Sequence, residues 1–386
     1  METRRTEPSI LHFADFHIED DSWVLKHLEK AANRILSVVD EIKPSLIVIA
    51  GDYFEKSLHF DGPGARFAVD FLKKLSGCAP VLMEEGTETH DRESLETLAR
   101  MLPDTVTIVR EPSVVSFPYI PELADCDFYC MPGIKKKNFK KVAETYGLDL
   151  LKTQPGDLAA YQFQKWAEEK VHREGRDAIF VGHIQLGIDG LDKMKTGYEP
   201  AISPETINFI KPSLGLLGHV HDLISYGNLH YSGNIVPRSM TEAESVIVGD
   251  DGSVRYTRRP QKKGFYVHTR QPDGSWENTL HEIETARFCE ISIHARDEED
   301  LAVKMQAARD HLKQISTGMD EDGIICKFNI ETPDQAVSEA LFRHENTVRD
   351  EIGGVVDIVS PSINVTSFSD HAARVENIPE WQKKSA

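Results

Sequence analysis

The chain has 386 residues, 40% of them hydrophobic and 28% charged, with 63 acidic against 44 basic side chains and a formal net charge of −19. That balance excludes a protein that coats nucleic acid by bulk electrostatics, while local contacts through bound cations stay open. The length allows two hydrophobic cores, so one large domain with a smaller appended one is expected. No run approaches the roughly 18 consecutive apolar residues of a membrane span. The opening METRRTEPS lacks a secretory apolar segment, so the sequence reads as intracellular and cytoplasmic, with no membrane attachment. Five cysteines without a CxxC pair fit reduced thiols rather than a disulfide framework.

SILHFA predicts a short buried strand, followed by a helix in which Val24, Leu28, Ala31, Ile35, Val39 and Ile42 recur at helical spacing until Pro44 stops it. SLIVIA is the next strand, then a helix around ARFAVDFLKKL, the strand PVLME and the helix RESLETLARML. This β-α-β-α-β order predicts a mainly parallel sheet covered by helices. Strands at TVTIVR, SVVSFP and DFYCM follow, then a helix through LAAYQFQKWAEEKV and strands at DAIFVG and LGLLG. The hairpin ISYGNLHYSG and the strands SVIVG and KGFYVHT are expected to close the first domain. The pattern restarts near residue 285 as FCEISIHA, a helix carrying Leu301, Met305, Ala308, Leu312 and Ile315, GIICKFNIE, a helix through AVSEALFRHENTV, and VVDIVS. That is a compact α+β unit, with domains expected at 1–283 and 284–372 and a partner-binding or flexible tail at 373–386.

In open α/β sheets, functional residues gather on loops beyond the carboxyl ends of the strands. The polar residues obey this repeatedly. Asp15 and His17 follow the first strand in ADFH, Asp52 follows the second in AGDYF, and His90 and Asp91 follow the third. His183 in FVGHIQ and then His219 and His221 in LLGHVH follow two later strands. A lone His or Asp at a strand end is usually a cap or a satisfied polar group, and GD alone carries almost no information. The ordered series, each member after an apolar strand, is what carries weight. Asp and neutral His are good ligands for Mn(II), Fe(II) or Zn(II), a carboxylate such as Asp52 can bridge two ions, and a pair of ions can clamp phosphoryl oxygens and activate a water.

This motif series resembles that of the calcineurin-like metallophosphoesterases. SILHFADFHI, LHYSGNIVPRSM after GHVH, and KKGFYVH narrow the resemblance to SbcD-type nuclease subunits of DNA double-strand-break repair. The resemblance implies an α/β fold, a metallophosphoesterase β-sandwich flanked by helices, with a small C-terminal α+β capping domain. It implies two divalent ions, Mn(II) by expectation: Asp15, His17, Asp52 and His221 would hold one, and Asp52, His183 and His219 the other. His90 would be the catalytic histidine, with Asp91 fixing its tautomer and position. It further implies DNA as substrate, an SbcC-like coiled-coil ATPase as partner, and a homodimer. A phosphatase or small-molecule phosphodiesterase of the same superfamily is the alternative, and a non-enzymatic scaffold with a decayed site is a third.

One departure stands out. The family has Gly-Asn-His-Asp where this chain has GTETHD, and the missing Asn is a metal ligand. Thr89, next to His90, is the expected substitute by register; the Glu88 carboxylate or a water are the alternatives. Two basic runs, GIKKKNFKK with Lys135, Lys136 and Lys137, and RYTRRPQKKG with Arg258 and Arg259, are candidate phosphate contacts, although exposed lysine runs are more often solvated surface.

Overall fold

The computed structural model describes residues 7–365 apart from 60, 103, 136–138, 150–151, 154, 171–174, 189–200, 318, 320–322, 333–355 and 359–361. The chain divides into two compact units, one of residues 1–236 and 262–284 and the other of residues 237–261 and 285–386.

In the first unit β1 (Ser9–Phe13) leads into α1 (Ser22–Ile42). Asp21 caps that helix by accepting from the amide of Val24, and Lys43 ends it in the left-handed region just before Pro44. β2 (Leu46–Ile49), α2 (Pro63–Cys78), β3 (Val81–Glu84), α3 (Arg92–Ala99) and β4 (Val106–Val109) complete the alternating series. β5 (Ser113–Val115), β6 (Cys126–Met131), α4 (Phe139–Tyr146), α5 (Pro155–Lys170) and β7 (Asp177–His183) begin a second layer. β8 (Gln185–Leu186), β9 (Ala201–Ile202), the short α6 (Pro204–Ile207), β10 (Leu214–Gly218), β11 (Ile224–Tyr226) and β12 (Leu229–Tyr231) extend it. The chain then passes through β13 (Glu244–Val248) and β14 (Val254–Arg258) before returning with β15 (Gly264–Arg270) and β16 (Trp276–Glu282).

Among the described residues two six-stranded sheets form, in the orders β16-β15-β1-β2-β3-β4 and β11-β12-β10-β7-β6-β5. Period-two alternation decides the layering. Leu11, Phe13, Ile47 and Ile49 meet α1 and α2 on one face. Ile10, Ala14, Leu46 and Val48 point the other way and meet Phe128, Ile179, Val181 and Leu216 of the second sheet. Phe163, Phe180 and Leu217 join α4 and α5 on the far side. The result is a sandwich of two sheets with helices on both outer faces. β1 to β4 run parallel as expected, with antiparallel β15 and β16 added at the β1 edge.

Histidines interrupt the inter-sheet core. His12, His230 and His268 are buried and linked in a single chain, in which His230 and His268 each have one ring nitrogen donating and the other accepting. Nδ1 of His12 lies 3.4 Å from Nε2 of His268, whose Nδ1 meets Oδ1 of Asn278 at 2.6 Å. The Asn278 amide reaches Nε2 of His230 at 3.1 Å, and Nδ1 of His230 reaches the Ser225 hydroxyl at 2.8 Å. Burial pushes all three imidazoles down, His268 to about 3.

The second unit does not start at residue 284. β13 pairs in parallel with β17 (Arg287–His294), which pairs with β18 (Ile324–Thr332), itself flanked by β19 (Val356–Ile358) and β20 (Ser362–Val365). The strand SVIVG, expected to close the first domain, therefore belongs to the second unit, because its hydrogen bonds go to β17 and its Val246 and Val248 enter that unit's core. α7 (Glu298–Ser316) covers this sheet with Leu301, Met305, Ala308 and Leu312. The helix expected through AVSEALFRHENTV and the tail 373–386 lie outside the described residues.

Candidate metal centre

The loops after β1 and β2 are locked to each other by backbone hydrogen bonds from Asp15 to Gly51, His17 to Asp52 and Ile18 to Tyr53. Asp15, His17, Asp52 and His219 all adopt positive φ, between 47° and 89°, a conformation that costs non-glycine residues energy and gathers at functional sites. Gly86 is required by contact rather than by its own φ. A Cβ there would stand 2.1 Å from the amide nitrogen of Asp52, so only glycine lets the loop after β3 press against the loop after β2.

These loops converge on two adjacent groups, Asp15 with His17 and His221, and Asp52 with His183 and His219, the potential ligand atoms within each lying inside 4.8 Å of one another. Nε2 of His17 and Nε2 of His221 are 3.1 Å apart. Asp52 lies between the groups, its Oδ2 3.1 Å from Nε2 of His183 and 4.0 Å from Nε2 of His17. Nδ1 of His183 is committed outward to the carbonyl of Ala50 at 2.8 Å, and Nδ1 of His17 lies 2.9 Å from Oε2 of Glu55 without hydrogen-bond geometry. For His183 that bond selects the tautomer whose Nε2 lone pair points inward, the usual device for orienting a histidine metal ligand. Asp15 accepts from the amide of His219 with both carboxylate oxygens, at 2.9 and 3.1 Å. Four of the six candidate ligands are buried, and His219 and His221 are partly exposed, so the floor is dry and the mouth is open.

Electrostatics tie Asp52 to His183. Burial pushes Asp52 up, but the charge and hydrogen bond of His183, with His17 and His90 nearby, outweigh it and hold the carboxyl far below the usual range. Burial pulls His183 down, and the Asp52 carboxylate reverses this, raising it to about 10. A cation takes the place of that proton when it binds. The donor set of two carboxylates and four imidazole nitrogens around a shared Asp52 fits two divalent ions.

The structure departs from the sequence-based assignment at GTETHD. Thr89 is exposed. Thr87, the residue directly after Gly86, takes the position expected of it: its amide donates to Oδ1 of Asp52 at 2.6 Å, and its hydroxyl lies 3.1 Å from Oδ2 of Asp52 and 3.3 Å from Nε2 of His183. The two additional residues extend the turn on the His90 side, where amides of His90 and Asp91 close back onto the Thr87 carbonyl. Counting forward from Gly86 would have found Thr87; counting back from His90 leads to Thr89.

His90 does reach the site. Its ring centre is 5.0 Å from that of His17, edge to face, and it forms a group with His17 and Glu55. Asp91, however, does not hold its ring. Asp91 is fully buried and accepts from the amides of Phe54 and Gly86, each at 2.8 Å, so it clamps the second and third loops together. Burial and the nearby Asp52 charge push its carboxyl up to about 7. The partner of His90 Nδ1 is the carbonyl of Glu55, at 2.5 Å. Glu55 was not legible as a site residue; its only signal is its place three residues after Asp52.

The basic residues are employed differently from the expectation. Lys135 is nearly buried, donating to the carbonyl of Arg110 at 2.7 Å and pairing with Glu111 at 3.2 Å and the buried Glu85 at 3.4 Å. Arg258 donates to the carbonyls of Thr241 and Met240, and Arg259 lies over the ring of Tyr256. Lys136 and Lys137 lie outside the described residues. Lys263, in contrast, is buried and donates to the carbonyl of His221 at 3.2 Å and to the side chain of Asn234, fixing the GHVH loop from below. No helix among the described residues is long and apolar enough to cross a membrane.

Residues 8–223, more than half of the chain, match the family model of the calcineurin-like phosphoesterases. A search of curated proteins finds no match to the chain.

Proposed function

The chain belongs to the calcineurin-like phosphoesterases, a family of metal-dependent hydrolases, and from that premise we propose that its substrate is the phosphodiester backbone of DNA. The observation that carries phosphoester hydrolysis is the pair of ligand groups joined at Asp52, with His90 standing beside them. Two bound divalent ions, Mn(II) in this proposal, would supply an activated water and neutralise the charge that develops on phosphoryl oxygens. Asp15, His17, Asp52 and His221 would hold one ion, and Asp52, His183, His219 and Thr87 the other.

The protein's own groups then have separate tasks. His90 has its Nδ1 engaged by the Glu55 carbonyl, which leaves Nε2 to hydrogen-bond the scissile phosphate or deliver a proton to the leaving oxygen. Glu55 orients His90 through its backbone carbonyl, and its carboxylate lies beside Nδ1 of His17, so one residue stands next to both the ligand shell and the proton donor. Asp91 keeps the second and third loops at the spacing this requires.

DNA as the substrate is supported by the SbcD-like features SILHFADFHI, LHYSGNIVPRSM and KKGFYVH and by a second α+β unit following the phosphoesterase motifs. An SbcC-like ATPase partner and a homodimer belong to the same proposal. A smaller phosphoester substrate is favoured by one observation: Lys135 and Arg258, expected to meet DNA phosphates, are spent on internal acceptors. Incubation of the purified chain with linear DNA and Mn(II) separates the two. Degradation that is lost in Asp52→Asn supports the nuclease; hydrolysis confined to mononucleotides or small phosphodiesters supports the alternative.

A further inference from the structure

The second unit contains a ligand cluster that phosphoester hydrolysis does not use. Glu244 opens β13, and in the parallel register it lies directly beside Cys289 of β17, which lies directly beside Cys326 of β18. Residues paired in this way across adjacent strands project from the same face of the sheet, roughly 4.8 Å apart. All three are buried, and both cysteines are free thiols. From the covering helix α7, His311 descends onto the row, one residue before Leu312 and three after Ala308 in the buried stripe. Ligand atoms of Glu244, Cys289 and His311 lie within 4.8 Å of one another.

Two of these groups are incompletely satisfied. Among the described residues, Oε1 of Glu244 and Nε2 of His311 are buried and have no hydrogen-bond partner. Arg287 engages Glu244 through the other oxygen, Oε2, at 2.5 Å. A buried polar atom left without a partner costs about 1–3 kcal/mol in an ordinary core, and two of them on residues grouped with a free thiol are not what core packing selects.

We propose that Glu244, Cys289, His311 and Cys326 form a structural Zn(II) site in the second unit. One carboxylate oxygen, one imidazole nitrogen and two sulfurs make a four-coordinate set drawn from the ligand types zinc takes, with a carboxylate in place of one Cys or His of the usual closed structural sites. With Zn–S near 2.3 Å and Zn–N near 2.0 Å, the edges of such a tetrahedron are roughly 3.5 Å, so side-chain shifts of about 1 Å bring Glu244, Cys289 and His311 to it, and Cys326 joins from the neighbouring strand position. The charges also balance: two thiolates and one carboxylate against Zn(II) and the Arg287 guanidinium sum to zero. Each thiol gives up its proton to solvent as the metal binds, with no change of oxidation state. Because two thiols must lose their protons, loading weakens as pH falls. Such a site would tie the inserted segment 237–261, whose connection to the rest of this unit is otherwise noncovalent pairing, to β17, β18 and α7 at one point.

The test uses the full chain and Co(II) as a spectroscopic substitute for zinc. Neither ligand group of the phosphoesterase site includes a cysteine, so a thiolate-to-cobalt charge-transfer band reports the second unit alone. The expected results are that band in the unaltered protein, its persistence in Asp52→Asn/His183→Asn, and its loss in Cys289→Ser/Cys326→Ser. His311→Gln, which leaves the thiols in place, should weaken Co(II) binding at this band by at least the roughly 10–100-fold that loss of even an outer-shell partner costs. Zinc content of the Asp52→Asn/His183→Asn protein should be about one ion per chain, and chelation should lower the melting temperature of the second unit. No charge-transfer band in the unaltered, reduced protein, or an undiminished band in Cys289→Ser/Cys326→Ser, overturns the proposal. Failure here leaves the phosphoesterase reading untouched, because the two sites share no residue.

Discussion

Thr87→Val tests the second ligand group most sharply, because it exchanges a hydroxyl for a methyl of nearly the same volume and keeps the backbone amide that Asp52 also accepts. The hydroxyl lies 3.1 Å from one carboxylate oxygen of Asp52 and 3.3 Å from Nε2 of His183, so it either contributes a ligand atom or orders two. A hydrogen bond to a charged partner is worth about 1.5–3 kcal/mol. At about 1.4 kcal/mol per factor of ten, Thr87→Val should weaken the ion held with His183 and His219 by roughly 10–100-fold. The ion held with His17 and His221 should keep its affinity within about threefold, because no atom of Thr87 touches those rings. Calorimetric titration of Mn(II) into metal-free protein resolves the two events, and turnover should follow occupancy of the weaker one. Thr87→Asn, which restores the amide of the family pattern, should retain or tighten the weakened ion. Thr89→Ala should change nothing, since that side chain is exposed. Equal loss in both variants, or loss only in Thr89→Ala, would refute the assignment of Thr87.

His90→Gln should leave both ions bound and reduce turnover by about 10²–10⁴-fold, the range for a positioned proton-transfer group; metal content by mass spectrometry beside initial rates distinguishes this from loss of a ligand. Asp91→Ala strips the acceptor from two buried amides, at about 1–3 kcal/mol for each group left unsatisfied, so urea denaturation should report a loss of about 2–6 kcal/mol even in metal-free protein. The buried histidine chain predicts acid sensitivity. The folded values of His12, His230 and His268 are lowered, so the unfolded chain binds more protons once pH drops below the free-histidine value, and stability falls from there downward. For His268, held at about 3, about 1.4 kcal/mol per pH unit gives roughly 2–3 kcal/mol between pH 6.5 and 4.5, and His12 adds to it in the same direction. His12→Leu/His268→Phe should flatten the pH dependence of the denaturation midpoint in that interval; an unchanged slope would contradict the neutral-imidazole network.

Sequence by itself determined what depends on local periodicity. The apolar runs from Ser9 to Glu84 alternate with helix stripes closely enough to predict the strand and helix order, and Pro44 marks the end of α1. Each of Asp15, His17, Asp52, His183, His219 and His221 stands at or just beyond the carboxyl end of an apolar strand, and a parallel sheet brings such ends to one edge whatever the details of packing. Tertiary structure alone decided matters of register between distant segments. Thr87 rather than Thr89 meets Asp52 because Gly86 admits a backbone approach that no spacing rule encodes, across 35 residues of chain. Asp91 grips Phe54 and Gly86, and His90 grips Glu55, because burial of a carboxyl demands amide donors and those were the ones brought within reach. SVIVG left the first unit for the second because strand edges pair by hydrogen bonding and shared core, not by sequence adjacency. The same register placed Glu244, Cys289 and Cys326 in one row, although Glu244 and Cys289 are separated in the chain by the whole return through β15 and β16.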